Sequence, residues 1–179
     1  MLSTLATDPP ALPRFDEVFR AHAPLVWRAL RRLGVREADV EDLCQEVFVV
    51  VHRKLPEFEG RAKLSTWVYG ICVRVASDHR KRAHVRHESQ HDAVPEGRQS
   101  APQLNELAQA QARVLLDAVL AELDDDKRAV FVLYEIEELP MAEVAVALNT
   151  PLQTAYSRLH AARKLVTESI ARRTAGGAP

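Results

Sequence analysis

The chain contains little cysteine, glycine or aromatic residue: its 179 residues include two Cys, six Gly, two Trp, three Tyr and five Phe. Together with plentiful alanine and aliphatic residues, this composition favours helices over sheets. The two cysteines, Cys44 and Cys72, form no recognised metal-binding spacing, and each falls within an apolar helical pattern. We therefore expect buried free thiols, consistent with a reducing cytosol.

The sequence also lacks an apolar run long enough to span a membrane. Its first residues, MLSTLATDPPALP, lack the basic start and apolar block of a signal peptide. Residues 1–13 are therefore expected to form a flexible N-terminal arm. The protein as a whole is predicted to be cytoplasmic, without membrane insertion.

A net charge of −1 conceals a strong segregation of charge along the chain. Residues 61–86 hold seven Lys or Arg against one acid, and residues 153–173 hold five against one. Between these islands, residues 88–143 hold thirteen acids and four Lys or Arg. Two basic islands separated by an acidic stretch indicate nucleic acid that is contacted at two places.

Polar residues, two prolines and a glycine mark residues 87–103 as a flexible linker. Its extended reach is on the order of 50 Å, so the segments on either side are able to occupy sites well apart. The predicted fold is therefore all-α. It consists of two small helical domains, residues 14–86 and 104–173, joined by this linker and followed by a disordered tail, residues 174–179.

One predicted helix of the first half has an unusual polar face. Apolar residues at helical spacing predict a first helix over residues 15–33 that ends at Gly34, and Asp39 is a candidate N-cap for a second helix, residues 40–54. The core-facing arc of the second helix comprises Val40, Leu43, Cys44, Val47, Val51 and Leu55. Its opposite face consists of Asp42, Gln45, Glu46 and Val49. The two carboxylates of this face repel each other at i, i+4. The face is either a solvated surface with a stray valine or a protein-docking face.

A tryptophan lies at the border of the apolar and basic faces of the next predicted helix, which Ser65 or Thr66 can cap and which is expected to run to about Arg82. The core side of this helix comprises Leu64, Val68, Ile71, Cys72 and Val75. Trp67 lies at the edge of that arc, and its polar side continues with Gly70, Arg74 and Lys81. A mid-helix glycine costs about 1 kcal/mol against alanine, which indicates that something approaches closely there. This helix either offers a platform for unstacked bases or is simply a basic helix whose tryptophan belongs to the core.

The second half carries a helix-turn-helix pattern after two predicted helices, residues 104–123 and 127–137. Pro140 is followed by a short helix. Asn149, which can adopt the left-handed turn conformation, comes after that helix, and a longer helix begins near Pro151. The core-facing side of the longer helix comprises Leu152, Ala155, Leu159, Ala162 and Val166. Its outer stripe consists of Gln153, Ser157, His160 and Lys164. The second helix of such a motif enters the major groove of DNA, although a plain helical hairpin has a similar pattern.

Three segments, in this order, resemble one family of proteins. DVEDLCQEVF (residues 39–48), FEGRAKLSTWVYGI (residues 58–71) and the stretch 129–164 are similar to conserved segments of the extracytoplasmic-function (ECF) group of sigma-70 factors. These proteins are the promoter-specificity subunits of bacterial RNA polymerase. The resemblance spans about residues 14–172, and the order of the three motifs is far more specific than any one of them.

The resemblance implies a non-enzymatic initiation factor, without cofactor or metal, whose partners are core RNA polymerase and promoter DNA. Docking on the clamp coiled coil of the largest polymerase subunit would use Asp42, Gln45, Glu46 and Val49, with the polymerase flap as a further contact. Binding and melting of the minus-ten element would use Gly60, Arg61, Lys63, Trp67, Arg74, Asp78, Arg80, Lys81 and Arg82. Binding of the minus-thirty-five element would use Gln153, Thr154, Tyr156, Ser157, Arg158, His160 and Lys164. An anti-sigma factor is a further candidate partner.

The chain departs from the family pattern in two helices. Many members have Asn where this chain has Arg74, and the recognition helix usually begins Gly-Thr-Val followed by a basic residue, where this chain has Gln153, Thr154, Ala155 and Tyr156. The base preference of the family is therefore not transferable to this protein.

Two other functional classes are compatible with parts of the sequence. A stand-alone helix-turn-helix regulator explains residues 140–173, but neither the acidic docking face nor the tryptophan helix. An enzyme would have to use the histidine cluster, for which a partly charged basic surface is the simpler interpretation. The cluster comprises His79, His84, His87 and His91. No nucleophile–base pair and no glycine-rich phosphate loop is recognisable.

Overall fold

A computed structural model describes the backbone of residues 12–87 and 104–175, and the side chains of residues 12–82 and 111–175. Within these ranges the chain is helical and forms no strand, as the composition predicts. The helices are α1 (Phe15–Arg32), α2 (Glu37–Lys54), α3 (Leu64–His87), α4 (Leu104–Ala121), α5 (Asp125–Phe131), α6 (Met141–Ala147) and α7 (Leu152–Ala175). Nearly all of the predicted arm and linker, and most of the predicted tail, lie outside the described residues.

The N-terminal domain consists of α1, α2 and α3, which pack pairwise around an apolar core. α1 is followed, as predicted, by Gly34, whose φ of +86° favours glycine. α2 begins earlier than predicted, with Arg36 as its N-cap, so the prediction of Asp39 as the cap is wrong. Asp39 lies instead in the first turn, where it complements the helix dipole and accepts a hydrogen bond from Arg36 Nε at 2.8 Å.

α3 also begins ahead of its predicted caps. Its first residue is Leu64, which follows a short 3₁₀ turn (Leu55–Glu57) and an extended loop. Neither Ser65 nor Thr66 is therefore the N-cap. Thr66 is fully buried, and its hydroxyl group contacts the C-terminal domain. The backbone of α3 continues beyond the predicted end to His87.

The C-terminal domain contains the predicted helix-turn-helix, formed by α6 and α7. In the turn between them Asn149 has a φ of +48°, the left-handed conformation expected for it. Leu152 was expected in the core, but it is 48% exposed because it occupies the first position of α7, ahead of the buried Ala155 and Leu159.

The helix predicted over residues 127–137 consists of two elements. α5 begins at Asp125 and is capped by Asp124, whose side chain accepts a hydrogen bond from the Lys127 backbone N–H at 2.9 Å. A π-helical segment, Val132–Ile136, follows α5. Propensity and periodicity do not distinguish a π-helical turn from an α-helical one. The sequence therefore predicted one continuous helix over both elements.

The two domains are packed together and share apolar core residues. Val68 and Ile71 of α3 belong to the same buried cluster as Val144 and Ala147 of α6. The helix-turn-helix therefore lies against α3, the helix that carries Trp67 and the first basic island.

Candidate polymerase and nucleic-acid interfaces

The polar face of α2 is exposed, as the helical pattern predicts. Asp42, Gln45 and Glu46 are exposed, and Val49 retains 49% of its accessible surface. The opposite face of the helix buries Val40, Leu43, Val47 and Val51. Val49, an exposed apolar side chain on this polar face, does not pack against the core in the described part of the chain, which suits a surface available to another protein.

One side chain of this face contacts the basic end of α3. Arg82 lies 3.2 Å from a carboxylate oxygen of Glu46, and the two side chains are 54% and 44% exposed. An exposed pair of this kind contributes about 0–1 kcal/mol and is readily exchanged for other partners. The structure thus brings together two residues that the sequence assigned to different surfaces.

Trp67 lies at the edge of the core of α3, where the helical pattern predicts it. It is partly buried, and its ring lies 5.2 Å from the ring of Phe58 at an angle of 50°. Beside it is a cavity of about 210 Å³ that is bounded by both domains. The cavity is lined by Glu57, Phe58, Glu59, Arg61, Ala62, Thr66, Trp67, Gly70, Arg74, Val146 and Ala147.

The glycine at position 70 marks a close backbone approach, and the approaching group is the C-terminal domain. A Cβ atom placed on Gly70 would lie 2.6 Å from the carbonyl oxygen of Ala147. The sequence predicted that something approaches closely here, but the surrounding residues did not identify it. In contrast, nothing lies within 4 Å of a Cβ placed on Gly60, whose φ of +69° reflects the loop that precedes α3.

The cations of the first basic island differ in exposure and in partners. Arg61, Arg74 and Lys81 are exposed, as is Asp78. Arg80 is only 20% exposed, because its guanidinium donates to the Leu33 carbonyl and lies 2.9 Å from Asp125 of the C-terminal domain. The predicted contact of Arg80 with DNA phosphates stays a prediction, and in this structure the guanidinium is engaged within the chain.

Glu143 of α6 contacts the start of α3. Its carboxylate accepts a hydrogen bond from the Thr66 hydroxyl at 2.6 Å and lies 3.1 Å from Lys63 Nζ. The Thr66 hydroxyl, together with Lys63, lowers the pKa of Glu143. Lys63, like Arg80, is therefore paired with an acid of the C-terminal domain.

Glu137 makes a third contact between the domains. Its two carboxylate oxygens accept hydrogen bonds from Arg32 of α1 and from the Tyr69 hydroxyl of α3. Burial, and then the bond to Glu137, raise the pKa of Tyr69 above its ordinary value. Arg32 and Tyr69 were not singled out from the sequence. The available signal for Glu137 was its position in the acidic stretch 88–143 of the sequence.

All four residues of the predicted outer stripe of α7, Gln153, Ser157, His160 and Lys164, are exposed, as is Tyr156. Thr154 is partly buried, and Arg158 pairs with Asp126 at 2.5 Å. Leu152 of α7 and Val146 of α6 are apolar and exposed, at 48% and 62%.

Comparison with known proteins identifies the family. Residues 18–86 match the family described as Sigma-70 region 2, and residues 104–166 match the family described as Sigma-70, region 4. The chain is also 31% identical over 169 residues to the ECF RNA polymerase sigma factor SigE of Mycolicibacterium smegmatis. The chain belongs to the ECF group of sigma-70 factors. The match to SigE covers 92% of this sigma factor but 65% of SigE.

Other relatives match a larger share of their own length. The ECF RNA polymerase sigma-E factor of Escherichia coli (strain K12) is 28% identical over 145 residues, 76% of each chain. The RNA polymerase sigma factor NccH of Alcaligenes xylosoxydans xylosoxydans is 26% identical over 158 residues, covering 86% of this chain and 84% of NccH.

Two solved structures have the same fold as this sigma factor. CnrH, in complex with the cytosolic domain of CnrY, superposes with a TM-score of 0.63 at 21% identity, over 88% of each chain. The sigma factor RpoE of Bartonella quintana, in complex with the anti-sigma factor NepR, gives a TM-score of 0.64 at 20% identity. That match covers 88% of this chain and 96% of RpoE.

The described residues of this sigma factor contain no group of three or more side chains suited to a metal ion. In the same ranges no helix is long and apolar enough to cross a membrane. Both cysteines are free thiols, but only Cys72 is fully buried, and Cys44 is partly exposed. Burial raises the pKa of Cys72, which disfavours the thiolate form.

Proposed function

We propose that this protein binds core RNA polymerase in the cytoplasm and directs promoter recognition, strand opening and transcription initiation, without catalysing a reaction itself. The observation that carries the proposal is the presence of sigma-70 regions 2 and 4, in this order, in one chain. A stand-alone regulator would need only the helix-turn-helix of α6 and α7.

Docking on the polymerase is assigned to the polar face of α2. Asp42, Gln45, Glu46 and Val49 are exposed while the domains are packed. We propose that they contact the clamp coiled coil of the largest subunit, and that the C-terminal domain contacts the flap. A positively charged partner would relieve the repulsion between the two carboxylates of this face.

Recognition and melting of the minus-ten element are assigned to α3 and to the loop before it. The partly buried indole of Trp67 offers a stacking surface for an unpaired base, and Arg74 lies beside the same cavity. The remaining residues of this proposed surface are Gly60, Arg61, Lys63, Asp78, Arg80, Lys81 and Arg82.

Recognition of the minus-thirty-five element is assigned to α7. Its exposed side chains suit hydrogen bonds to base edges and phosphates in a major groove. The proposed contacts are Gln153, Thr154, Tyr156, Ser157, Arg158, His160 and Lys164. Regulation by an anti-sigma factor is supported by the RpoE–NepR complex, whose sigma factor shares this fold.

The test is reconstitution of the full-length protein with core polymerase. We expect the two to co-purify, and the reconstituted enzyme to make transcripts that share an upstream sequence element when their start sites are sequenced. Failure to bind core polymerase, combined with tight sequence-specific binding of duplex DNA by the protein alone, would favour the stand-alone regulator.

A further inference from the structure

The side of α7 that faces away from the core has two edges of different chemistry. Leu152 and Tyr156, which lie one turn apart on the same face of the helix, are 48% and 49% exposed. Gln153 and Ser157, which are also exposed, lie about 100° further round the helix. An apolar edge and a hydrogen-bonding edge therefore run side by side along the first two turns of α7.

The packing of the chain does not account for the apolar edge. The core side of the same turns is supplied by Ala155 and Leu159, which are buried. Leu152 and Tyr156 belong to neither apolar cluster of the described residues and do not pack against one. They project instead from the start of the second helix of a helix-turn-helix, the part of that motif that meets base edges in the major groove.

The apolar edge matches a feature that belongs, in the major groove, to thymine alone: its C5-methyl group. Apolar side chains contact this methyl group, whereas arginine reads the O6 and N7 acceptors of guanine. Tyr156 stands where the recognition helix of the family usually has a basic residue, and Leu152 has no hydrogen-bonding side-chain group. On the neighbouring edge, the amide of Gln153 suits the N6 and N7 of adenine, the partner of thymine. The two edges together match A·T base pairs.

We propose that Leu152 and Tyr156 are specificity-determining residues that contact thymine methyl groups in the minus-thirty-five element, while Gln153 hydrogen-bonds to adenine. The inference rests on the proposed function in one respect, the assignment of α7 to that element. The minus-thirty-five element of this sigma factor therefore contains A·T base pairs where it faces the first two turns of α7. An element without A·T pairs, read from the start sites of transcripts made with core polymerase, would overturn the proposal.

Replacement of thymine by deoxyuridine tests the contact directly, because it removes the methyl group and leaves base pairing unchanged. The full-length protein is bound to core polymerase, and its affinity for the promoter recovered from those start sites is measured by competition between labelled and unlabelled duplexes. Loss of one contacted methyl group should weaken binding about fourfold. The same replacement in the spacer between the two promoter elements should leave the affinity unchanged, which controls for changes in DNA shape.

Two protein variants show whether the effect passes through the apolar edge. Leu152→Ala combined with Tyr156→Ala removes the edge. Leu165→Ala is the matched control, because Leu165 is also exposed, at 37%, but lies on a different side of α7. We expect the double variant to lose the discrimination between thymine and deoxyuridine and Leu165→Ala to retain it, with helicity retained in both.

The outcomes distinguish this inference from the proposed function. A parent protein that transcribes from the promoter but binds the thymine and deoxyuridine duplexes equally would overturn the inference alone. A double variant that still discriminates between the duplexes would do the same, and a loss of core-polymerase binding in that variant would then assign the apolar edge to a polymerase contact. If the parent protein makes no transcript with core polymerase, the proposed function fails and this inference fails with it.

Discussion

Arg128 is predicted to be the polar side chain on which the stability of the described domains most depends. It is 7% exposed, and its guanidinium donates to three main-chain carbonyls. Two of them belong to the end of α4 and the turn after it: Leu120 at 2.7 Å and Leu123 at 3.1 Å. The third is Leu33, at the end of α1, at 3.2 Å. One side chain thus satisfies carbonyls of both domains.

Arg128→Met retains most of the aliphatic stem and removes the donors. The Leu33 carbonyl keeps a second donor in Arg80, so two buried carbonyls lose the side-chain donor that Arg128 supplies. Each costs about 1–3 kcal/mol when its partner is removed. Part of this loss is offset, because the wild-type protein has to bury the charge of Arg128 and the methionine variant does not. Burial lowers the pKa of Arg128 for the same reason. We therefore expect a net loss of about 2–4 kcal/mol.

The measurement is urea unfolding followed by far-UV circular dichroism, with the free energy of unfolding extrapolated to water. The matched control is Arg163→Met, because Arg163 is 55% exposed and makes a surface pair with Glu135. That variant should lose less than about 1 kcal/mol. If the two variants lose the same free energy, the reasoning about the three carbonyls is refuted.

Four further outcomes are expected. Asp42→Lys with Glu46→Lys should leave helicity intact and weaken co-purification with core polymerase; unchanged binding would count against the docking face. Trp67→Ala should reduce open-complex yield on a linear promoter more than closed-complex yield, since stacking of about 1–3 kcal/mol per base requires an unpaired base; thermal stability is the control for core damage. The free protein should bind duplex promoter DNA only weakly and in a salt-sensitive way in gel-shift assays, and nanomolar specific binding would favour the stand-alone regulator. The Thr66 hydroxyl, together with Lys63, lowers the pKa of Glu143, so the contribution of Glu143 to the contact between the domains is complete above the ordinary glutamate pKa of about 4.3 and is lost as the pH falls through the lowered value. Acrylamide quenching of Trp67, measured in a Trp27→Phe background, should therefore rise in acid, and less so in Glu143→Gln.

The sequence predicted most reliably what depends on one helix alone. The exposed side of α2, the border position of Trp67 and the left-handed Asn149 follow from helical periodicity or from the preferences of a single residue. Helix starts were predicted less well. Arg36 is the N-cap of α2 although its side chain makes no capping hydrogen bond, and Asp39 lies within the helix. The start of this helix is therefore not set by a capping side chain that the sequence could reveal.

The contacts between domains were beyond the reach of the sequence. Arg32 and Glu137 are 105 positions apart, and nothing local to either one indicates the other. Arg128 was missed for a related reason: arginine is almost never buried unless paired, and its carbonyl partners carry no residue-specific signal. Gly70 gave the clearest hint, since a glycine within a helix indicates a close neighbour but cannot name it.

Two locally unfavourable features of the N-terminal domain have different compensations. Gly70 weakens α3 by about 1 kcal/mol relative to alanine, and the packing of Ala147 offsets this within the chain. Asp42 and Glu46 repel each other on an exposed face, and the described residues supply only Arg82 as a surface partner for Glu46. Gly70 is therefore explained by a neighbour within the chain, whereas the Asp42–Glu46 pair fits a partner outside it.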